Sequence, residues 1–231
     1  MLDWFAKRNA SPMAEAFTTE FPMVATGQAG FLAGTMVATA TGWRPVEALS
    51  TGDEVLTFDH GMRPVKSIER RVLVLGDTAS AQEMAPIYIP RDALGNRNPM
   101  WVKPEQGILL EHDLLEDALG DPFAVVPACA LEGYRGITRA PQQVTMETIV
   151  LNFDEDEVVY IEAGVLAFCP ADHDLMHYCV TAQSEELYTI LSASEARELV
   201  IDMITEDSFW TPAGAMAGTG GTGEPQYATF A

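Results

Sequence analysis

Residues 30–71 read GFLAGTMVATATGWRPVEALSTGDEVLTFDHGMRPVKSIERR, three short β-prone runs separated by turn residues. Met36 to Thr39 is apolar, and Gly42 follows with the backbone freedom that a tight reversal needs. Arg44 to Leu49 predicts a short extended arm ended by Ser50, Thr51, Gly52 and Asp53. In Glu54 to Phe58 the two-residue strand period puts Leu56 and Phe58 on one face and Val55 and Thr57 on the other, and the first face is the expected buried one. Asp59, His60 and Gly61 then form a hairpin turn, with Pro64 to Ile68 as the returning strand.

The order of these residues resembles the opening of the Hint (hedgehog/intein) domain in its bacterial Hint-2 form. That family shows a cysteine before F-x-x-G-T, then R-P-V-E-x-L, G-D-x-V-L-T and a D-x-G-x-x-P-V hairpin. The matching residues are Phe31, Gly34 and Thr35; Arg44, Pro45, Val46, Glu47 and Leu49; Gly52, Asp53, Val55, Leu56 and Thr57; and Asp59, Gly61, Pro64 and Val65. The resemblance implies a mostly β, horseshoe-shaped domain of short antiparallel strands over residues 30–168. A helical extension at 169–207 follows it, with a leader at 1–29 and a glycine-rich tail at 208–231.

The resemblance also implies a chemistry, and the chain departs from it. Hint domains cut the peptide bond before their first cysteine, whose thiolate attacks the preceding carbonyl. Here that position is Gly30, and the first cysteine in the chain is Cys129. The family's Ser/Thr-Pro-x-His-Arg motif falls on Lys103, Pro104, Glu105, Gln106 and Gly107. Gln106 donates hydrogen bonds but transfers no proton near neutral pH, and Lys103 replaces a hydroxyl with a charge. A third loss falls at Asp156, the histidine position of L-D-x-H-E-V-V-x-A-E-G, whose closing glycine falls at Ala163 with Gly164 one residue late. The resemblance therefore implies a frame without its catalytic residues, a binding or structural module and not an enzyme. The alternative is residual self-cleavage between Ala29 and Gly30 with Thr26 or Thr35 as nucleophile, and His112 is the acid that would have to serve it.

Cys169, His173, His177 and Cys179 form a second constellation, a donor set that suits tetrahedral zinc. Pro170 opposes a regular helix through it, and two exposed histidines with two half-buried thiols is the plainer reading; a small zinc-binding interaction domain is the third functional expectation. Asp154 to Glu157 could hold calcium, but these four carboxylates lack the glycine-centred loop of a hand-type site and read as a solvated acidic turn. No other cofactor is implied.

At 231 residues and 48% hydrophobic content the chain can bury a proper core. Its net charge of −21 disfavours nucleic acid and anionic membrane, leaving an unidentified protein as the expected partner. From residue 140 onward there are 16 acidic residues against Arg197 alone. Lys7 and Arg8 follow the leader's apolar residues instead of preceding them, so no secretory signal is read. A cytoplasmic setting is the default, with export by an uncleaved C-terminal signal open. Three cysteines suggest no disulfide framework, and Cys129 in VVPACALEG is expected to be a buried, inert thiol.

Further along, PIYIP (residues 86–90) predicts an edge strand and residues 113–120 a helix capped by Asp113 and Gly120. Residues 142–153 are expected to pair with 157–162 as a hairpin. Ser192-Ala-Ser-Glu195 is a capping box opening a helix that buries Ala196, Leu199, Val200 and Met203. Tyr227 and Phe230 sit near the end of the tail, free to dock on another surface.

Overall fold

The computed structural model describes residues 30–74, 83–140, 145–171 and 188–209; residues 1–29 with Thr26, the segment holding His173, His177 and Cys179, and the tail lie outside them. In chain order the strands are β1 (Phe31–Leu32), β2 (Met36–Thr39), β3 (Gly42–Pro45), β4 (Glu54–Thr57), β5 (Gly61–Pro64), β6 (Ser67–Val74), β7 (Ile87–Ile89), β8 (Met100–Val102) and β9 (Gly107–Glu111). Helix α1 (Asp113–Leu119) precedes β10 (Phe123–Pro127), β11 (Thr138–Arg139), β12 (Thr145–Asn152), β13 (Glu157–Ile161), β14 (Val165–Cys169), β15 (Thr189–Ile190) and helix α2 (Ala193–Phe209). They form a six-stranded sheet, β11-β7-β8-β1-β12-β6, and a nine-stranded one, β15-β10-β9-β14-β13-β2-β4-β5 with β3 on β2. All the pairings are antiparallel except β10 with β15. The fold is mostly β with a C-terminal helix.

One apolar cluster joins both sheets and α2, with Val37, Ile87, Ile108, Val126, Ile149, Ile161 and Val200 almost wholly buried. Burying each such side chain contributes about 1.5–3 kcal/mol. Helix α2 buries Ala196, Leu199, Val200 and Met203 as its spacing predicts. Its capping box forms: Glu195 N–H donates to Ser192 Oγ (3.3 Å), and Ser192 N–H donates to Glu195 Oε2 (3.0 Å). Among the described residues no helix is long and apolar enough to cross a membrane.

Several expectations need correction. The period of β4 is as read but its phase is reversed: Val55 and Thr57 are buried, and Leu56 and Phe58 are only partly so. A buried threonine is tolerable because Thr57 Oγ1 donates to the Gly61 carbonyl (3.0 Å). Phe58 instead meets Phe123 edge-on at 5.5 Å in a smaller cluster with Leu109, Val158 and Phe168. The arm after Arg44 is not extended throughout, since Val46–Ala48 close into a single 3-10 turn. The returning strand after the hairpin is Gly61–Pro64, and a new strand begins at Ser67. β12 and β13 do not pair. β12 lies between β1 and β6, whereas β13 pairs with β14, β2 and β4, so the acidic turn carries the chain from one sheet to the other. β7 is not an edge, because the two-residue β11 covers it. The N-cap of α1 is His112, whose ring accepts from Leu114 N–H, one residue before the aspartate that composition favours.

Candidate functional site

Gly30 enters β1 buried and with φ +72°, the left-handed region that side chains resist. A Cβ placed there would fall 2.8 Å from Val150 Cγ2 and 2.9 Å from the Ile149 carbonyl oxygen. In this backbone the position has neither the torsion nor the room for a nucleophilic side chain.

Gln106 closes the turn between β8 and β9, its N–H donating to the Lys103 carbonyl at 3.0 Å. Its side chain is 2% exposed, and Nε2 donates to the carbonyls of Phe168 (2.8 Å) and Gly107 (3.1 Å). Those bonds hold β9 against β14 and fix the amide group. Gly30 and Gln106 line one small cavity with Val150, Phe168, Cys169 and Pro170. Its volume of about 10 Å³ is room for about one water.

Cys169 is the residue that the sequence reading placed elsewhere. Lying last on β14, it faces this cavity, and only the β9–β14 pairing shows it. The thiol is buried, and burial with the nearby Glu157 carboxylate pushes its pKa far above the ordinary thiol value. A thiolate is the reactive form, so this sulfur is held in its inert one. Cys129 is half-buried, against the full burial expected, and burial likewise raises its thiol.

The other named positions stand apart. Lys103 Nζ lies 3.8 Å from Glu105 Oε2 at the same turn. Asp156 Oδ1 accepts from Ala171 N–H at 2.7 Å, tying the start of β13 to the chain leaving β14. Thr35 Oγ1 donates to the Leu32 carbonyl at 2.8 Å, which orients its hydroxyl within its own turn. His112 caps α1 and brings Nε2 to 3.8 Å from Glu206 Oε2; it lines a different cavity from Gly30. Of the zinc quartet, Cys169 alone is among the described residues.

Among the described residues, one further set of donors is within metal-ligating reach. His60, Glu155 and Glu157 bring ligand atoms within 4.8 Å of one another. Glu157 is buried at 2% side-chain exposure, a correction to the wholly solvated turn expected here. Its carboxylate is met by His60 Nδ1 (3.1 Å) and Arg63 Nε (3.1 Å), while Arg63 also reaches Glu155 (3.3 Å). The guanidinium places a positive charge among these donors and offsets one of the two carboxylates from within the protein.

Glu162 and Ala163 turn the chain from β13 into β14, both at positive φ (46° and 62°). Glu162 Oε1 accepts from Met36 N–H at 2.8 Å, and its carbonyl accepts from Arg97 N–H. Gly164 sits against residue 95, where a Cβ would lie 2.1 Å from the Gly95 oxygen. That contact explains why the glycine of this turn comes one residue late.

The family model of the Hint domain, Hint_2, matches residues 29–167. This chain belongs to the Hint-domain family. Solved structures similar to this Hint chain include the AceL NrdHF class 3 split intein in a splice-inactive variant, with 17% identity, a TM-score of 0.41, and 63% of this chain and 99% of that one covered. The bacterial intein-like domain from Clostridium thermocellum shows 17% identity and a TM-score of 0.39, over 60% of this chain and 97% of that one. The MchDnaB-1 intein (N145AA form) shows 15% identity and a TM-score of 0.39, over 61% and 99%. No curated protein matches the chain.

Proposed function

We propose that this Hint-domain protein has lost self-cleavage and acts as a binding or structural module. The observation that carries this reading is Gly30. Where the family pattern places its cysteine, the backbone is left-handed and the space for a Cβ is filled by Val150 and the Ile149 carbonyl. Gln106 supports it from the facing side, because an amide bonded to the Phe168 carbonyl has no proton to give a leaving nitrogen.

A second reading, residual cleavage between Ala29 and Gly30, draws on one feature: Cys169 shares the cavity of Gly30 and Gln106. Against it stands the burial that keeps that thiol protonated. The intact mass of the full chain, before and after incubation with a thiol and hydroxylamine, separates the two. A stable 25.1 kDa species is expected. Fragments meeting at Ala29 and Gly30 would overturn the module reading, and their loss in Cys169→Ser would name the sulfur responsible.

A further inference from the structure

A larger cavity than that of Gly30 lies at the other end of the β9–β14 pair. It measures about 310 Å³, within the range of sites that take a small organic group, with Ile108, Leu110, Val165, Leu166 and Met203 as an apolar lining. His112, Arg135 and Glu111 also line it. Two of these are already matched: His112 faces Glu206 at 3.8 Å, and Arg135 is bound to Asp207 at 2.9 Å. Glu111 is exposed, and no ion pair joins it among the described residues. The site is therefore an apolar slot with a surplus carboxylate at its rim, and it fits an occupant that carries an aromatic group beside a cation.

The chain contains such a segment. Of its 13 Lys and Arg residues, all but Lys7 and Arg8 lie among the described residues, and those two follow Trp4 and Phe5 in the run Leu2-Asp-Trp-Phe-Ala-Lys-Arg8. We propose that residues 2–8 of this same chain dock in the cavity, with Trp4 or Phe5 in the slot and Lys7 against Glu111 and Glu206. The reach is ample. From Gln106 to Leu110 and from Cys169 back to Val165, four residues of strand separate the Gly30 cavity from the slot, about 13 Å. The 21 residues between Arg8 and Gly30 span about 70 Å at full extension. The proposal rests on the reading that cleavage is lost, because only an uncut chain keeps this segment.

Zero-length carbodiimide coupling of the full-length protein, followed by digestion and mass spectrometry, tests it. Lys66 and Asp154, 2.9 Å apart, supply the internal positive control. The expected result is an isopeptide between Lys7 and Glu111 or Glu206 within one chain. Recovery of the Lys66–Asp154 link without either Lys7 link overturns the proposal, as does a Lys7 link found only between two copies. Trypsin gives an independent reading: Glu111→Gln with Glu206→Gln, or Trp4→Ala with Phe5→Ala, is expected to speed cleavage after Lys7 and Arg8 by about tenfold. An unchanged rate in both variants overturns docking. Intact mass distinguishes the failures: a chain cut at Gly30 sinks the module reading as well, and an uncut chain without the links sinks docking alone.

Discussion

At the scale of single residues, the proposed loss of cleavage turns on Gly30, where the backbone leaves no room for a side chain. A cysteine at Gly30 would meet Val150 and the Ile149 carbonyl inside 3 Å while adopting φ near +72°. The left-handed conformation costs about 1–2 kcal/mol and overpacking about 1–3. Gly30→Cys, alone or with Gln106→His, is therefore expected to lose about 2–5 kcal/mol in a urea titration and to remain uncut by mass. Cleavage by the double variant would show that the backbone relaxes into a competent form. A converse test lies in the β13–β14 turn. Ala163 holds φ +62° with a side chain, so Ala163→Gly is expected to stabilise the fold by about 0.5–1 kcal/mol after the entropy of the freer unfolded chain is counted. Gly164→Ala, pressed into the Gly95 carbonyl, is expected to destabilise by at least about 3 kcal/mol. Equal effects from the two substitutions would mean that the turn is not held by that contact.

At the scale of elements, the pH dependence of the helix α2 anchor follows from Asp207. Its carboxyl is held below the ordinary value first by the hydrogen bond from Arg135, with the Arg135 charge adding to it. A carboxyl depressed in the fold stabilises above its unfolded value and loses that contribution as pH falls through the folded one. Asp59 works the other way, raised chiefly by desolvation and partly offset by His60, so its penalty at neutral pH is relieved on acidification. Melting of Asp207→Asn between about pH 7 and about pH 2 is expected to show a lower Tm at neutral pH and a smaller drop below about pH 4 than the parent. Identical profiles would mean that the Arg135 tie contributes nothing to folding. The same elements show what the sequence made legible. The capping box and the apolar face of α2 were readable because a helix carries its own period and its own caps. Strand existence in residues 36–64 was readable for the same local reason. Which face of β4 is buried, and that β12 and β13 join different sheets, was not, because strand phase and partner are set by distant residues: Val159 for Thr57, Arg70 and Phe31 for Ile149. Gly30 and Gln106 were singled out by motif order alone, and the structure adds that they line one cavity. Cys169 escaped because its place beside Gly30 depends on a pairing 62 residues apart, Gln106 with Phe168.

At the scale of the whole molecule, charge is the remaining variable. The ion pairs of the described surface, such as Lys66 with Asp154 and Arg135 with Asp207, join half-exposed to exposed groups and contribute about 0–1 kcal/mol each. Against them stands a net charge of −21 on 231 residues, a self-repulsion that compaction increases. The two effects respond oppositely to salt, which makes their balance measurable. Raising NaCl from about 0.01 M to about 1 M shortens the screening length from about 30 Å to about 3 Å. Contacts near 3 Å lose part of their attraction, but repulsion summed over the whole surface acts at longer range and is lost more completely. The midpoint of thermal unfolding is therefore expected to rise with salt at neutral pH, most steeply at the low end. A midpoint that falls would mean that local pairs outweigh the global field, and would locate the tolerance of this acidity in the ion pairs that bridge the sheets and α2.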